Sequence, residues 1–100
     1  MKSGYKVLWT ENALAELEEI IEYLEENWSI NEVKNFAHEL DHTIELISKN
    51  PELFQASNKK KNIRRAVILS LNSLYYRRSA DIIEILSLFS NRKNPNDLKI

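Results

Sequence analysis

A chain of 100 residues with 43% hydrophobic and 29% charged side chains has the composition of a soluble globular domain, with room for one unit over 1–100 and no second. It has no cysteine, no apolar signal core at the start and no run near the ~18 apolar residues of a membrane span, which argues against a disulfide scaffold, a thiolate metal site or a membrane partner and for the cytoplasm. The net charge of -1 hides a split, because residues 1–50 carry 4 Lys and Arg against 11 Asp and Glu while residues 51–100 carry 10 against 4, so one end should be basic and suit a polyanion or an acidic protein segment.

Tyr5, Val7 and Trp9 alternate with Lys6, Leu8 and Thr10, the pattern of a strand that ends at a helix N-cap on Thr10. Ala13, Leu14, Leu17, Ile20, Ile21, Leu24 and Trp28 then recur every three or four residues, which predicts a helix with one apolar face and glutamates on its solvated side. Ser29-Ile30-Asn31-Glu32 is a capping box that starts a second helix, whose buried stripe is Val33, Phe36, Ala37, Leu40, Ile44 and Ile47. Asn50-Pro51 stops it, since proline continues no helical hydrogen bond and restricts the residue before it.

Glu52 to Asn62 reads as a loop with Phe54 as its anchor and Lys59 to Lys61 as a cationic run. Three strands follow, over Ile63 to Leu69, Leu74 to Arg78 and the nearly continuous apolar run Ile82 to Phe89, with turns expected at Asn72-Ser73 and Ser79-Ala80-Asp81. The expected fold is α+β in the order β-α-α-β-β-β, a helical hairpin on one face of a small, mainly antiparallel sheet.

His38-Glu39-Leu40-Asp41-His42 satisfies the zinc-peptidase pattern H-E-x-x-H. At about 100° per residue, however, both histidines point away from the stripe of Phe36, Leu40, Ile44 and Ile47, and no third histidine exists, so neither a metal nor any other cofactor is expected. No G-x-S-x-G elbow supports a serine triad, and the single glycine, Gly4, cannot form a phosphate loop. The basic and aromatic residues of the second half carry more. Adjacent positions face opposite sides of a strand, so Arg64 with Arg65 and Arg77 with Arg78 each place one guanidinium on the face away from the helices. Joined by Tyr75 or Tyr76, that face would combine stacking with phosphate binding. The alternative is that the tyrosines are half-buried sheet residues and the arginines pair with Asp81, Glu84 or the acidic helix.

Tyr5 to Thr10 with the helix after it, Asn50-Pro51-Glu52-Leu53-Phe54, Ile63-Arg64-Arg65, Leu74-Tyr75-Tyr76-Arg77 and Asn91-Arg92-Lys93-Asn94-Pro95 occur in an order and spacing that resembles the RelE/ParE toxin superfamily over nearly the whole chain. The resemblance implies the toxin of a type II toxin–antitoxin pair with a cognate antitoxin as partner. It also implies either ribosome-dependent mRNA cleavage, with the ribosome and mRNA as partners, or inhibition of DNA gyrase. The positions that serve RNA cleavage in the family fall here on Arg64, Ala66, Ser73, Arg92 and Leu98, and only Arg64 and Arg92 keep suitable chemistry. The long hairpin and the Arg92-Lys93 ending are closer to ParE. The expected activity is therefore gyrase inhibition by binding, with Arg64, Arg65, Tyr76, Arg77, Arg78, Arg92 and Lys93 as contacts for target or antitoxin. Arg64, Tyr75, Arg77 and Arg92 would be the catalytic set if the chain were a nuclease, and a non-toxic antitoxin-binding module is the remaining reading.

Overall fold

A computed structural model describes residues 4–57, 60, 62–98 and 100. The described residues form β1 (Lys6–Trp9), α1 (Glu11–Asn27), α2 (Ile30–Lys49), β2 (Arg64–Ile68), β3 (Asn72–Ser79), β4 (Ile82–Ser90) and a short 3-10 turn at Pro95–Asp97. This is the β-α-α-β-β-β order expected. Lys59 and Lys61 of the cationic run lie outside the described residues.

Local chemistry explains the helix boundaries. The Thr10 hydroxyl accepts the Ala13 N–H at the start of α1. Ser29 and Glu32 complete a reciprocal capping box at the start of α2. That helix ends at Lys49, before Pro51.

The strand order is β1-β4-β3-β2, with β1 parallel to β4 and the other neighbours antiparallel. Phe36, Leu40 and Ile47 of α2 and Ala13 and Leu24 of α1 are buried with Ala66, Ile68, Leu74, Tyr76, Ile83, Ile85 and Leu88 of the sheet. Both helices therefore cover the sheet face that these residues share. The opposite face carries a smaller cluster of Ile63, Tyr75 and Phe89, against which Leu86, Leu98 and Ile100 pack.

β1 runs beside β4 only from Ile82 to Ile85. Just beyond, the register slips, since Tyr76 opposes Ile85 and Tyr75 opposes Ser87, leaving Leu86 as an extra residue in β4. The freed backbone groups are satisfied from α1. Thr10 Oγ1 donates to the Ile85 carbonyl (3.0 Å) and Asn12 Nδ2 to that of Leu86 (3.1 Å), while Glu16 Oε1 accepts the Ser87 hydroxyl (2.7 Å) and the Leu88 N–H (3.1 Å). Glu16 thus departs from the solvated glutamate face expected of α1, because an open strand edge needs an acceptor there.

The β2–β3 turn also departs from expectation. It lies at Ile68–Leu71, closed by the Leu71 N–H on the Ile68 carbonyl (3.0 Å), with Leu69 at φ 53 and Ser70 at φ 62. Asn72 and Ser73, expected as turn residues, are buried members of β3. Ser73 is held inside by its hydroxyl, which accepts from Arg65 Nε (3.0 Å) and donates to Asn91 Oδ1 (2.7 Å).

Candidate functional site

The register distributes the arginines. Arg65 opposes Tyr75 and Arg64 opposes Tyr76 across the β2–β3 ladder. Tyr76 belongs to the core under the helices and Tyr75 to the cluster on the other side. Alternation along each strand therefore puts Arg65 and Arg77 on the face away from the helices, and Arg64 and Arg78 on the helix side.

On the open face, Arg77 lies opposite Glu84, and its Nε meets Glu84 Oε1 at 2.7 Å. Arg65 is tied through Ser73 to Asn91, so Ser73, which the resemblance sets at a position that serves RNA cleavage, here fastens β2, β3 and the turn after β4. Tyr75 shares this face but is only 9% exposed, beneath Leu98 and Ile100. The face thus offers a guanidinium at Arg65, an ion pair at Arg77 and the exposed side chain of Val67, with its aromatic ring under the C-terminal tail.

The helix-side arginines have other duties. Arg64 Nη1 donates to the Phe54 carbonyl (2.6 Å), fixing the loop that runs along the outer edge of β2. Tyr76 beside it is 0% exposed, and its hydroxyl donates to the Pro51 carbonyl (2.8 Å), so it presents no surface to a partner. Burial pushes this phenol above its usual 10.0, against the opposing pull of the Arg64 charge and the Phe54 backbone. Arg78 lies over the Tyr5 ring at 4.9 Å and donates to the Ala80 carbonyl (3.0 Å).

Past β4, the Arg92 guanidinium stacks over the Tyr23 ring at 4.0 Å, and Lys93 Nζ lies 3.6 Å from Glu19 Oε1. Both residues expected to contact a target are therefore laid along α1. Of the four, Tyr75 and Arg77 are neighbours on the open face of β3, Tyr75 under the tail, whereas Arg64 lies on the loop side of β2 and Arg92 on the flank of α1.

His38 and His42 are exposed on α2, and among the described residues no three His, Cys, Asp or Glu side chains are grouped to hold a metal. No described helix is long and apolar enough to cross a membrane. What the arrangement supplies is positive charge with apolar area, suited to binding an anion or an acidic segment. The residues that sequence reasoning missed are Glu16 and Asn91. Glu16 could have been found, since it falls between Ala13 and Leu17 within the apolar spacing of α1. Asn91 had no such signal.

No curated protein matches the chain. Among solved structures, the chromosomal ParDE system of P. aeruginosa is similar at a TM-score of 0.72 and 14% identity, covering 86% of this chain and 95% of that one. A YoeB/ParE toxin from Agrobacterium tumefaciens is similar at 0.60 and 12% identity, covering 86% and 98%. A conserved hypothetical protein from Helicobacter pylori follows at 0.52 and 17% identity, covering 89% and 97%. At such identities these likenesses speak for the fold alone. The sequence itself goes further, because the family model for the ParE toxin of the parDE type II toxin–antitoxin system matches residues 7–95. From β1 through the turn that carries Arg92 and Lys93, this chain belongs to the ParE toxin family of type II toxin–antitoxin systems.

Proposed function

We propose that the chain acts in the cytoplasm as a toxin that inhibits DNA gyrase by binding it, without cofactor or hydrolytic chemistry of its own, and that a cognate antitoxin neutralises it. One observation carries the choice of binding over RNA cleavage: Arg64, Tyr75, Arg77 and Arg92 are each engaged with a different partner inside the fold. Cleavage by a 2′-hydroxyl needs a proton acceptor, charge stabilisation at the phosphate and a proton for the leaving oxygen, all at one phosphate. Here Arg64 holds a loop carbonyl, Arg77 holds Glu84, Arg92 holds Tyr23 and Tyr75 lies under the tail. Residues 91–100 contain no Tyr or His to move a proton, and arginine, which keeps its proton at neutral pH, moves one poorly. Binding needs none of this convergence.

The antitoxin reading places an acidic, apolar segment on the open face, where exposed Val67, Arg65 and Arg77 follow one another away from the β2–β3 turn. The direct test adds the purified chain to gyrase, plasmid DNA and ATP. Cleaved DNA held on gyrase, relieved by the antitoxin, is the expected result. Unimpaired supercoiling at excess chain would refute the assignment.

A further inference from the structure

β1 forms one edge of the sheet and is paired on one side only, to β4. Leu8 stands opposite Glu84 in this parallel ladder, and the Thr10 N–H donates to the Ile85 carbonyl (3.1 Å). The backbone groups of Lys6, Leu8 and Thr10 therefore point inward to β4, and those of Val7 and Trp9 point outward. Among the described residues, the N–H and C=O groups of Val7 and Trp9 meet no partner.

Both ends of this open stretch are closed within the fold. Tyr5, the next outward residue, gives its N–H to the Ser48 carbonyl (2.6 Å), and the chain turns into α1 after Thr10. What stays unpaired runs from Lys6 to Thr10, with Leu8 in the middle. Val7 and Trp9 pack with the core under the helices, so Lys6 and Leu8 face the other way, where Leu8 is 43% exposed. Sheet edges are ordinarily blunted by charged side chains, proline or bulges. Here β1 has neither proline nor bulge, its middle side chain is a leucine, and its one charge, Lys6, stands at the end.

We propose that this edge pairs with the same edge of a second copy, antiparallel about a two-fold axis at Leu8, joining two four-stranded sheets into one of eight. An unpaired strand edge calls for extended backbone, and three features fit this one to its own copy. The outward groups sit one residue to either side of Leu8, so Val7 of each copy meets Trp9 of the other in two hydrogen-bonded pairs. Leu8 meets Leu8 at the intervening non-hydrogen-bonded site, where Cα atoms come to about 4.5 Å and side chains are closest. Lys6 falls opposite Thr10, so no like charges oppose one another. An edge this short gives a contact at the low end of interface sizes, so the dimer is weak and forms as concentration rises. β1 and β2 are opposite edges of the sheet, so this surface is separate from Arg65 and Val67.

The test uses the whole chain, which has no cysteine of its own, carrying Leu8→Cys or Lys6→Cys, both changes of exposed side chains. Under a mild oxidant, Leu8→Cys should form a disulfide-linked dimer, because Cα atoms about 4.5 Å apart lie within disulfide reach. Lys6→Cys should cross-link at least about tenfold more slowly, since four residues of strand, about 13 Å, separate that position in the two copies. Without cross-linking, sedimentation should pass from monomer to dimer between about 10 µM and 1 mM. The Val7 and Trp9 amides should exchange with deuterium more slowly in the dimer, and Leu8→Lys, which sets two cations against each other at the axis, should abolish both effects. Equal cross-linking at both positions, a monomer at 1 mM, or a dimer whose Val7 and Trp9 amides still exchange fast would each overturn the proposal. Protection of those amides only on adding the antitoxin, with the chain alone monomeric, would assign the edge to an extended antitoxin segment instead.

Discussion

Arg92 lies over Tyr23, its guanidinium carbon 4.0 Å from the ring centroid, and so ties the residues after β4 to α1. The stack accounts for the course of the chain past the sheet, because Lys93 follows onto Glu19 of the same helix. Replacing Arg92 by Ala should destabilise the fold by about 1 kcal/mol, the scale of an exposed cation–π contact. Arg92→Lys should retain part of that, and urea unfolding of the variants measures it. A loss of target affinity in Arg92→Ala beyond what Tyr23→Ala produces would show that the guanidinium also contacts the target.

Glu16 should be the carboxylate of α1 whose loss matters most. Glu16→Ala leaves the buried Ser87 hydroxyl and Leu88 N–H without their acceptor, a penalty of about 2–3 kcal/mol. Glu16→Gln keeps an acceptor oxygen and should cost about half as much. Glu18→Ala, on the solvated side, should change stability by less than ~0.5 kcal/mol. Equal effects at Glu16 and Glu18 in urea melts would show that the β4 bulge is satisfied in another way.

Tyr76 links stability to alkaline pH. Its folded pKa is raised, so above the ordinary 10.0 the unfolded phenol ionises first and the unfolded chain binds fewer protons than the folded one. The Tyr76 contribution is therefore intact below pH 10 and is lost as pH rises through the folded value. Tyr76→Phe should cost about 1 kcal/mol at neutral pH by removing the bond to Pro51, and should flatten the decline above pH 10. Denaturant titrations from pH 8 to about 11 in both proteins check it. An equally steep decline in the variant would assign the linkage to another group.

Much of the fold is legible in the sequence because periodicity speaks for whole faces. The Thr10 cap and the Ser29–Glu32 box reappear in place, and most of the apolar spacing of α1 and α2 reaches the core, although Leu14 and Trp28 of the expected α1 face and Ala37 of the expected α2 stripe are exposed. The faces of the arginines are not legible, for a physical reason. Tyr75 and Tyr76 are both large and aromatic, and β2 has apolar side chains at Ala66, Val67 and Ile68, so alternation pairs the residues without saying which set lies under the helices. The extra residue at Leu86 then inverts the alternation within β4, sending Ile85 and Leu88 to the same core. The turn at Leu69-Ser70 has no composition signal, since leucine is a poor left-handed residue, and Asn72-Ser73 nearby drew the expectation instead.

The histidines of the HELDH segment should be silent. Replacing His38 and His42 together by Ala should change stability by no more than ~0.5 kcal/mol, because both are exposed on α2. The purified chain should carry no zinc by elemental analysis. Stoichiometric zinc that disappears in the double variant would overturn this.

Antitoxin association should depend on the open face. Arg65→Glu with Arg77→Glu should slow association about tenfold at low salt and much less at high salt, as expected for charge steering. Arg64→Glu, on the loop side, should act mainly through stability. Stopped-flow rates that ignore both open-face reversals at every ionic strength would place the antitoxin elsewhere on the toxin.

The measurement that bears most directly on the account is the comparison of DNA and mRNA ends in cells after induction of the chain without its antitoxin. Gyrase-linked DNA breaks should accumulate, and mRNA 5′ ends should show no discrete ribosome-dependent cuts. Discrete mRNA cuts that vanish in Arg64→Ala, with DNA left whole, would show that Arg64, Tyr75, Arg77 and Arg92 are brought to one phosphate on the ribosome, and would contradict gyrase inhibition by binding.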